Sequence, residues 1–175
     1  VVEGNLYEVN VEKKGKETKE VIVEGLQEGQ YVVSDDGHMI AYQSNGNLTE
    51  ATEIQVINFA NGKKRKVTCE EGEVIRPLGF VNNDFVYGAA RTADTGNTVS
   101  GETVVPLYKI EIQNSKSKVV KTYEQKDIYV LDAQFEENII TLSRVRKEGA
   151  AYTGTVDDYI TNNEEKEESN IYPES

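Results

Sequence analysis

The sequence predicts an all-β protein made of short antiparallel strands grouped in repeated four-stranded units. Three observations carry that prediction. Apolar and polar residues alternate with a period of two along almost the whole chain, and helical spacing is hard to find. The runs are rich in Val, Ile, Tyr and Thr and stop at clusters such as Asp35-Asp36-Gly37, Asn45-Gly46-Asn47, Asn61-Gly62 and Asn82-Asn83-Asp84, whose residues tolerate the positive φ of tight hairpins. One strand pattern also returns at spacings of 48 and 53 residues.

The elements follow in order. Leu6, Val9 and Val11 mark a first run; Val21 and Val23 alternate with Ile22; Tyr31, Val33, Ile40 and Tyr42 continue the alternation. The segment Leu6–Val11 matches Ile54–Phe59 and Leu107–Ile112 in apolar placement, and each copy is followed by a polar turn and a basic strand: Lys16–Val21, Lys63–Thr68 and Ser117–Thr122. A second hairpin type falls between the copies: Gln30–Ser34 with His38–Ser44, Pro77–Val81 with Asp84–Ala90, and Tyr129–Phe135 with Ile139–Val145. In this reading Ser34 ends one strand and His38 begins the next. Four short strands in about 40 to 50 residues is the period of a β-propeller blade.

The stretch Tyr31-Val32-Val33-Ser34-Asp35-Asp36-Gly37-His38-Met39-Ile40-Ala41-Tyr42, continued by Glu53–Gly62 and ending Val67-Thr68, resembles the TolB-type propeller repeat, which also occurs in the propellers of the dipeptidyl peptidase and prolyl oligopeptidase families. Asp35 stands where that repeat usually has Pro. The match covers about one blade. The second copy, Gly79–Tyr87, keeps the hairpin without the Asp-Gly turn, and Arg91–Val105 is an insertion between its second and third strands. The expected division is half a blade over 1–25, a blade over 30–70, a blade over 74–124, a partial blade over 127–162 with Tyr152–Tyr159 as its third strand, and an acidic loop or tail over 163–175. The strands make an incomplete, open arc without a closing strand. Such an arc exposes blade faces, so self-association or marginal stability is expected.

Composition limits the function. The chain has 31 acidic and 19 basic residues, a net charge of −12, which gives it no general electrostatic route to nucleic acid or an anionic bilayer. No apolar run is long enough for a membrane-spanning helix, so no membrane insertion is expected. One Cys and one His exclude a disulfide framework and a Cys/His zinc site. The chain opens at Val1 without Met and reads as an excised piece of a longer protein.

Ser34, Asp35, Asp36 and His38 bring a hydroxyl, carboxylates and the imidazole together, but a tight hairpin does not converge a triad from separate elements, and no Gly-x-Ser-x-Gly elbow exists. They read as turn residues. Asp35-Asp36, Asp157-Asp158 and Glu164–Glu168 lack the ligand spacing of a calcium loop and read as solvated acidic surface. Asn47-Leu48-Thr49 is a glycosylation sequon, meaningful only in a eukaryotic secretory path. Lys63-Lys64-Arg65-Lys66 reads as protection of an outer edge strand, and Cys69 as a blade-surface thiol with no group to activate it. The insertion, with Thr92, Thr95, Asn97, Thr98, Ser100 and Thr103, reads either as a binding loop or as a disordered segment.

No catalytic, cofactor-binding or metal-binding residue is assigned, and the chain is not expected to be an enzyme. The expected function is a propeller segment that presents loops to a protein, peptide or glycan partner, in an extracytoplasmic protein as the resemblance implies. The alternatives are the regulatory propeller of a larger serine peptidase whose catalytic domain lies outside this chain, and a purely architectural spacer.

Overall fold

The computed structural model describes residues 8–13, 16–21 and 29–161. Leu6, Ile22, Val23 and the acidic stretch Asn162–Asn170 lie outside the described residues. The fold is all-β and its sheets are overwhelmingly antiparallel. Among the described residues no helix is long and apolar enough to cross a membrane.

Strands β1 (Glu8–Lys13) and β2 (Lys16–Val21) form a two-stranded hairpin. Strands β3 (Tyr31–Val33), β4 (Met39–Gln43), β5 (Glu53–Asn58) and β6 (Lys63–Thr68) form a four-stranded antiparallel meander. Next come β7 (Glu73–Val81) and β8 (Asp84–Arg91), then an insertion with a 3-10 turn (Thr92–Asp94), β9 (Gly96–Thr98) and β10 (Thr103–Val104). Strands β11 (Leu107–Gln113) and β12 (Val119–Tyr123) return to pair beside β8, giving the order β7-β8-β11-β12. The last hairpins are β13 (Ile128–Glu136), β14 (Ile139–Glu148) and β15 (Ala151–Thr161). Pairing of Leu107 with Val130 and of β9 with the start of β15 joins these strands to β7, β8, β11 and β12 in one nine-stranded sheet.

The recurrent sequence pattern is therefore a recurrent structure. Its three copies contribute the hairpins β1/β2, β5/β6 and β11/β12, and the intervening type contributes β3/β4, β7/β8 and β13/β14. Gly37, Gly62, Asn82, Asn83 and Glu137 adopt positive φ at the turns between paired strands. Strand β7 starts at Glu73, earlier than the expected Pro77, because Val74 and Ile75 also pair with Ala90 and Ala89. Pro77, which has no N–H to donate, sits where the register shifts between Pro77 and Gly79.

Period-two patterning decides which face each residue covers. On β8, Phe85 and Tyr87 point to the first meander and pack with Ala41, Ile54, Val56, Val67 and Ile75. Val86 and Ala90 point the other way, into a core with Leu107, Ile110, Ile112, Val130, Ile140 and Leu142. Strand β8 is thus buried on both faces. Gly79 and Gly88 let this happen at close range: a Cβ on Gly79 would lie 2.7 Å from the Phe135 ring, and one on Gly88 2.5 Å from Leu107 Cδ1. Successive sheets are also tied by hydrogen bonds. Gln43, 2% exposed, donates from Nε2 to the Ile75 carbonyl at 2.9 Å and to that of Leu48 at 3.0 Å, while the Ile75 N–H donates to Ala51 O at 2.9 Å. Both backbone groups of Ile75 on the outer side of β7 are satisfied this way.

Replacing Gly79 by Ala forces Phe135 off β7 and should lower unfolding free energy by about 1–3 kcal/mol. Combining it with Phe135→Leu should recover part of that loss. Denaturant unfolding of the single and double variants checks both, and an unaffected Gly79→Ala protein would mean that the ring does not pack there.

Candidate functional site

The insertion Arg91–Val105 carries the 3-10 turn and the short strands β9 and β10. Its strand β9 pairs in parallel with the start of β15, Asn97 opposite Ala151 and Thr98 opposite Tyr152. Most of the hydroxyls that made the segment conspicuous are turned to its own backbone or to one another. Thr92 Oγ1 donates to Gly72 O at 3.2 Å and Thr95 Oγ1 to Thr92 O at 2.7 Å. Thr103 Oγ1 donates to Asn97 Oδ1 at 2.9 Å, and Thr98 and Ser100 share a hydrogen bond of 3.0 Å. Tyr152, fully buried, donates its hydroxyl to Asp94 O at 2.6 Å and lies flat against Gly96, where a Cβ would be 2.9 Å from its ring. These residues hold the insertion in place, and a concave surface lies at its base.

There, Arg91, Tyr108, the β12–β13 connection Glu124–Asp127 and the start of β13 at Ile128 and Tyr129 enclose an open cleft of about 480 Å³. One wall is a stack. The Arg91 guanidinium lies 3.6 Å above the Tyr108 ring, and its Nη1 is 3.6 Å from Asp94 Oδ2. Tyr108 donates its hydroxyl to Glu73 Oε2 at 2.5 Å, which fixes the ring from its far end. Tyr129 forms the other aromatic surface and meets Tyr152 edge to face at 5.3 Å. Burial first, then the Glu73 hydrogen bond, raises Tyr108 above the ordinary phenol range; burial and the nearby Asp94 carboxylate do the same for Tyr129. At neutral pH both rings are uncharged, half-buried and able to stack.

The second wall rests on a buried network. Arg144, its side chain 10% exposed, donates from Nη1 to Gln125 Oε1 at 2.9 Å and to the Tyr123 hydroxyl at 3.2 Å, and its Nη1 is 3.5 Å from Asp158 Oδ2. Tyr123 donates to Asp158 Oδ2 at 2.7 Å. The β12–β13 connection is thereby pinned to β14 and β15, and Asp127 adopts a positive φ of 62° within it.

The residues weighed from the sequence lie elsewhere. Strand β3 ends at Val33 and β4 begins at Met39, so Ser34 and His38 both belong to the turn rather than to the strands. Asp36 is the hub of that turn: its Oδ1 accepts the Ser34 hydroxyl at 2.7 Å and the His38 N–H at 2.9 Å, and His38 Nδ1 is 3.5 Å from Oδ2. The Met39 N–H donates to Ser34 Oγ at 3.0 Å. The His38 backbone bond, then the Ser34 hydroxyl, hold the Asp36 carboxyl below its usual range. A nucleophile is activated by a base that accepts its proton and is itself oriented by a third group; here the carboxylate takes the hydroxyl directly, and the arrangement shapes a hairpin.

Lys63, Lys64 and Lys66 lie exposed on β6, an edge of its sheet, but Arg65 does not share that role. Its Nε donates to Gln113 Oε1 at 2.9 Å, bridging the first meander to the second, and desolvation lowers the pKa of its guanidinium. Cys69 is half-buried rather than a plain surface thiol. It donates to Glu73 O at 3.3 Å, and burial, then Glu73 and Glu70, push the thiol up and away from the reactive thiolate. Among the described residues no group of three or more His, Cys, Asp and Glu side chains is placed to hold a metal ion. No family model matches the chain, and no curated protein matches it in sequence. The cleft could not be read from sequence, because Arg91, Tyr108 and Tyr129 are far apart in the chain and carry no motif.

Phenols are the protein's pH-sensitive groups. Burial, then a hydrogen-bonded carboxylate, raises Tyr87 (to Glu111, 2.5 Å) and Tyr123 (to Asp158), and burial, then Asp94, pushes Tyr152 up to about 12. A raised folded-state value means that the fold holds its proton more tightly than the unfolded chain does. The stabilisation is complete below pH 10 and drains away as pH rises; for Tyr152 the window runs from 10 to about 12. Absorbance titration should show several tyrosines that resist ionisation until the protein unfolds, with stability falling from about pH 10 upward. Ionisation of all ten tyrosines near pH 10 without loss of structure would contradict this.

Proposed function

We propose that this chain is a non-catalytic β-propeller segment that serves as an interaction scaffold and binds its protein, peptide or glycan partner at the Arg91–Tyr108–Tyr129 cleft. Two features support the propeller reading. Strand β3 lies against β7 and β7 against β13, so the first strands of successive meanders gather on one side, while the basic last strands β6 and β12 lie at the opposite rim. The resemblance of Tyr31–Thr68 to a TolB-type repeat points the same way, as it does to an extracytoplasmic setting.

The observation that carries the binding reading is the construction of the cleft. It combines two neutral tyrosine rings, an arginine fixed by stacking and an ion pair, and exposed Glu124, Lys126 and Asp127. A rigid, mostly polar concavity with flat apolar surfaces suits a ligand that has both a stacking face and hydrogen-bonding groups, as sugars and extended peptides have. The cleft brings together cationic, anionic and phenolic side chains without one dominant charge.

Thermal shift of the intact chain against oligosaccharide and peptide panels should reveal at least one class that raises the melting temperature. Arg91→Ala and Lys126→Glu should each weaken that ligand by about tenfold or more, with Lys126→Glu leaving the unliganded melt unchanged. Ligands that bind these variants as well as the parent would move the binding surface away from the cleft.

A further inference from the structure

The cleft at the base of the insertion carries formal charges of both signs. Arg91 and Lys126 line it as cations, Glu124 and Asp127 as carboxylates. Asp94 Oδ2, 3.6 Å from Arg91 Nη1, offsets part of the arginine's charge. Glu124, Lys126 and Asp127 are exposed, and their side chains make no ion pair or hydrogen bond with a described residue. A ligand with a net charge of either sign therefore meets two like charges. Hydroxyl groups both donate and accept, so one polyhydroxylated ligand can serve all four side chains.

The aromatic surface narrows the ligand further. Tyr108 already has the Arg91 guanidinium 3.6 Å and Lys109 Nζ 5.5 Å from its ring centre. Tyr129 is half-buried, packs edge to face on Tyr152, and its hydroxyl has no hydrogen-bond partner among the described residues. The negative face of such a ring attracts the polarised C–H groups on one side of a sugar ring. Peptide recognition draws on an open sheet edge, an apolar groove or a cluster of arginines. The cleft has one aliphatic residue, Ile128, and one arginine. Its volume of about 480 Å³ lies within the range of small-ligand sites.

We propose that the cleft takes a neutral oligosaccharide, with one sugar ring stacked on Tyr129, its hydroxyls donating to Glu124 and Asp127 and accepting from Arg91 and Lys126. The assignment rests on the cleft being the binding surface. Charged sugars are selected against: a uronic acid brings its carboxylate beside Glu124 and Asp127, and an amino sugar brings its ammonium beside Arg91 and Lys126.

The test titrates the whole chain by calorimetry with trisaccharides in matched neutral and charged forms. The pairs are the methyl ester of trigalacturonate against the free acid, and N-acetylchitotriose against chitotriose, with cellotriose and maltotriose as further neutral probes. At least one neutral trisaccharide should bind, with affinity changing less than about twofold between about 50 and 500 mM salt. Neither charged trisaccharide should come within about tenfold of it, and saturation-transfer NMR should mark the C–H protons of one ring face. Glu124→Ala and Lys126→Ala should each weaken binding about threefold or more with the unliganded melt unchanged, and Tyr129→Leu about tenfold while Tyr129→Phe keeps most of it. A charged trisaccharide that outbinds the neutral ones, a steep salt dependence, or no trisaccharide bound would each overturn the proposal. In the last case, a peptide whose binding is lost in Arg91→Ala would leave the cleft standing as the binding surface. A ligand of any class indifferent to Arg91→Ala, Glu124→Ala and Lys126→Ala would overturn both.

Discussion

The structure depends on burying both faces of β8. Short strands have little interior of their own, and their apolar residues leave water only when other strands lie against each face. Strand β8 shows the consequence most directly: Phe85 and Tyr87 serve one core, Val86 and Ala90 the other, and every residue from Phe85 to Ala90 is buried. Period-two alternation here separates two interiors rather than an interior from solvent. That explains how a chain with only 37% hydrophobic residues can bury its central strands completely.

Polar side chains link the layers where the cores end. Gln43 reaches the backbone of β7, Arg65 reaches Gln113, and Arg144 joins the β12–β13 connection to β14 and β15. These side chains supplement the backbone bonds at the same seams, Ile75 N–H to Ala51 O between the first two meanders and the Leu107–Val130 and β9–β15 pairings between the second and third. Tyrosines perform the same task with carboxylates, Tyr87 with Glu111, Tyr108 with Glu73 and Tyr123 with Asp158. The acidic composition is thus partly structural: several carboxylates are acceptors for buried phenols.

The cleft inherits its geometry from these seams. The insertion leaves β8 at Arg91 and the chain returns to pair at Leu107, which places Arg91 and Tyr108 side by side. Tyr152 then holds the insertion against β15, and Arg144 holds the opposite wall. A side chain fixed by two or more partners loses little entropy when a ligand arrives, which is the physical advantage of placing a binding surface at such a junction.

The sequence by itself determined the strand class, the turns and the repeating hairpins, because these rest on alternation within a few residues and on the φ preferences of Gly, Asn and Asp. It also located the insertion between β8 and β11 and the basic strand β6 at an edge. Only the tertiary structure decided that the insertion pairs with β15, that Arg65 crosses a seam while its lysine neighbours face water, and that Arg91, Tyr108 and Tyr129 line one cleft. These outcomes depend on contacts between residues distant in sequence. Local periodicity reports which face a side chain occupies, but only the stacking of sheets decides what that face meets.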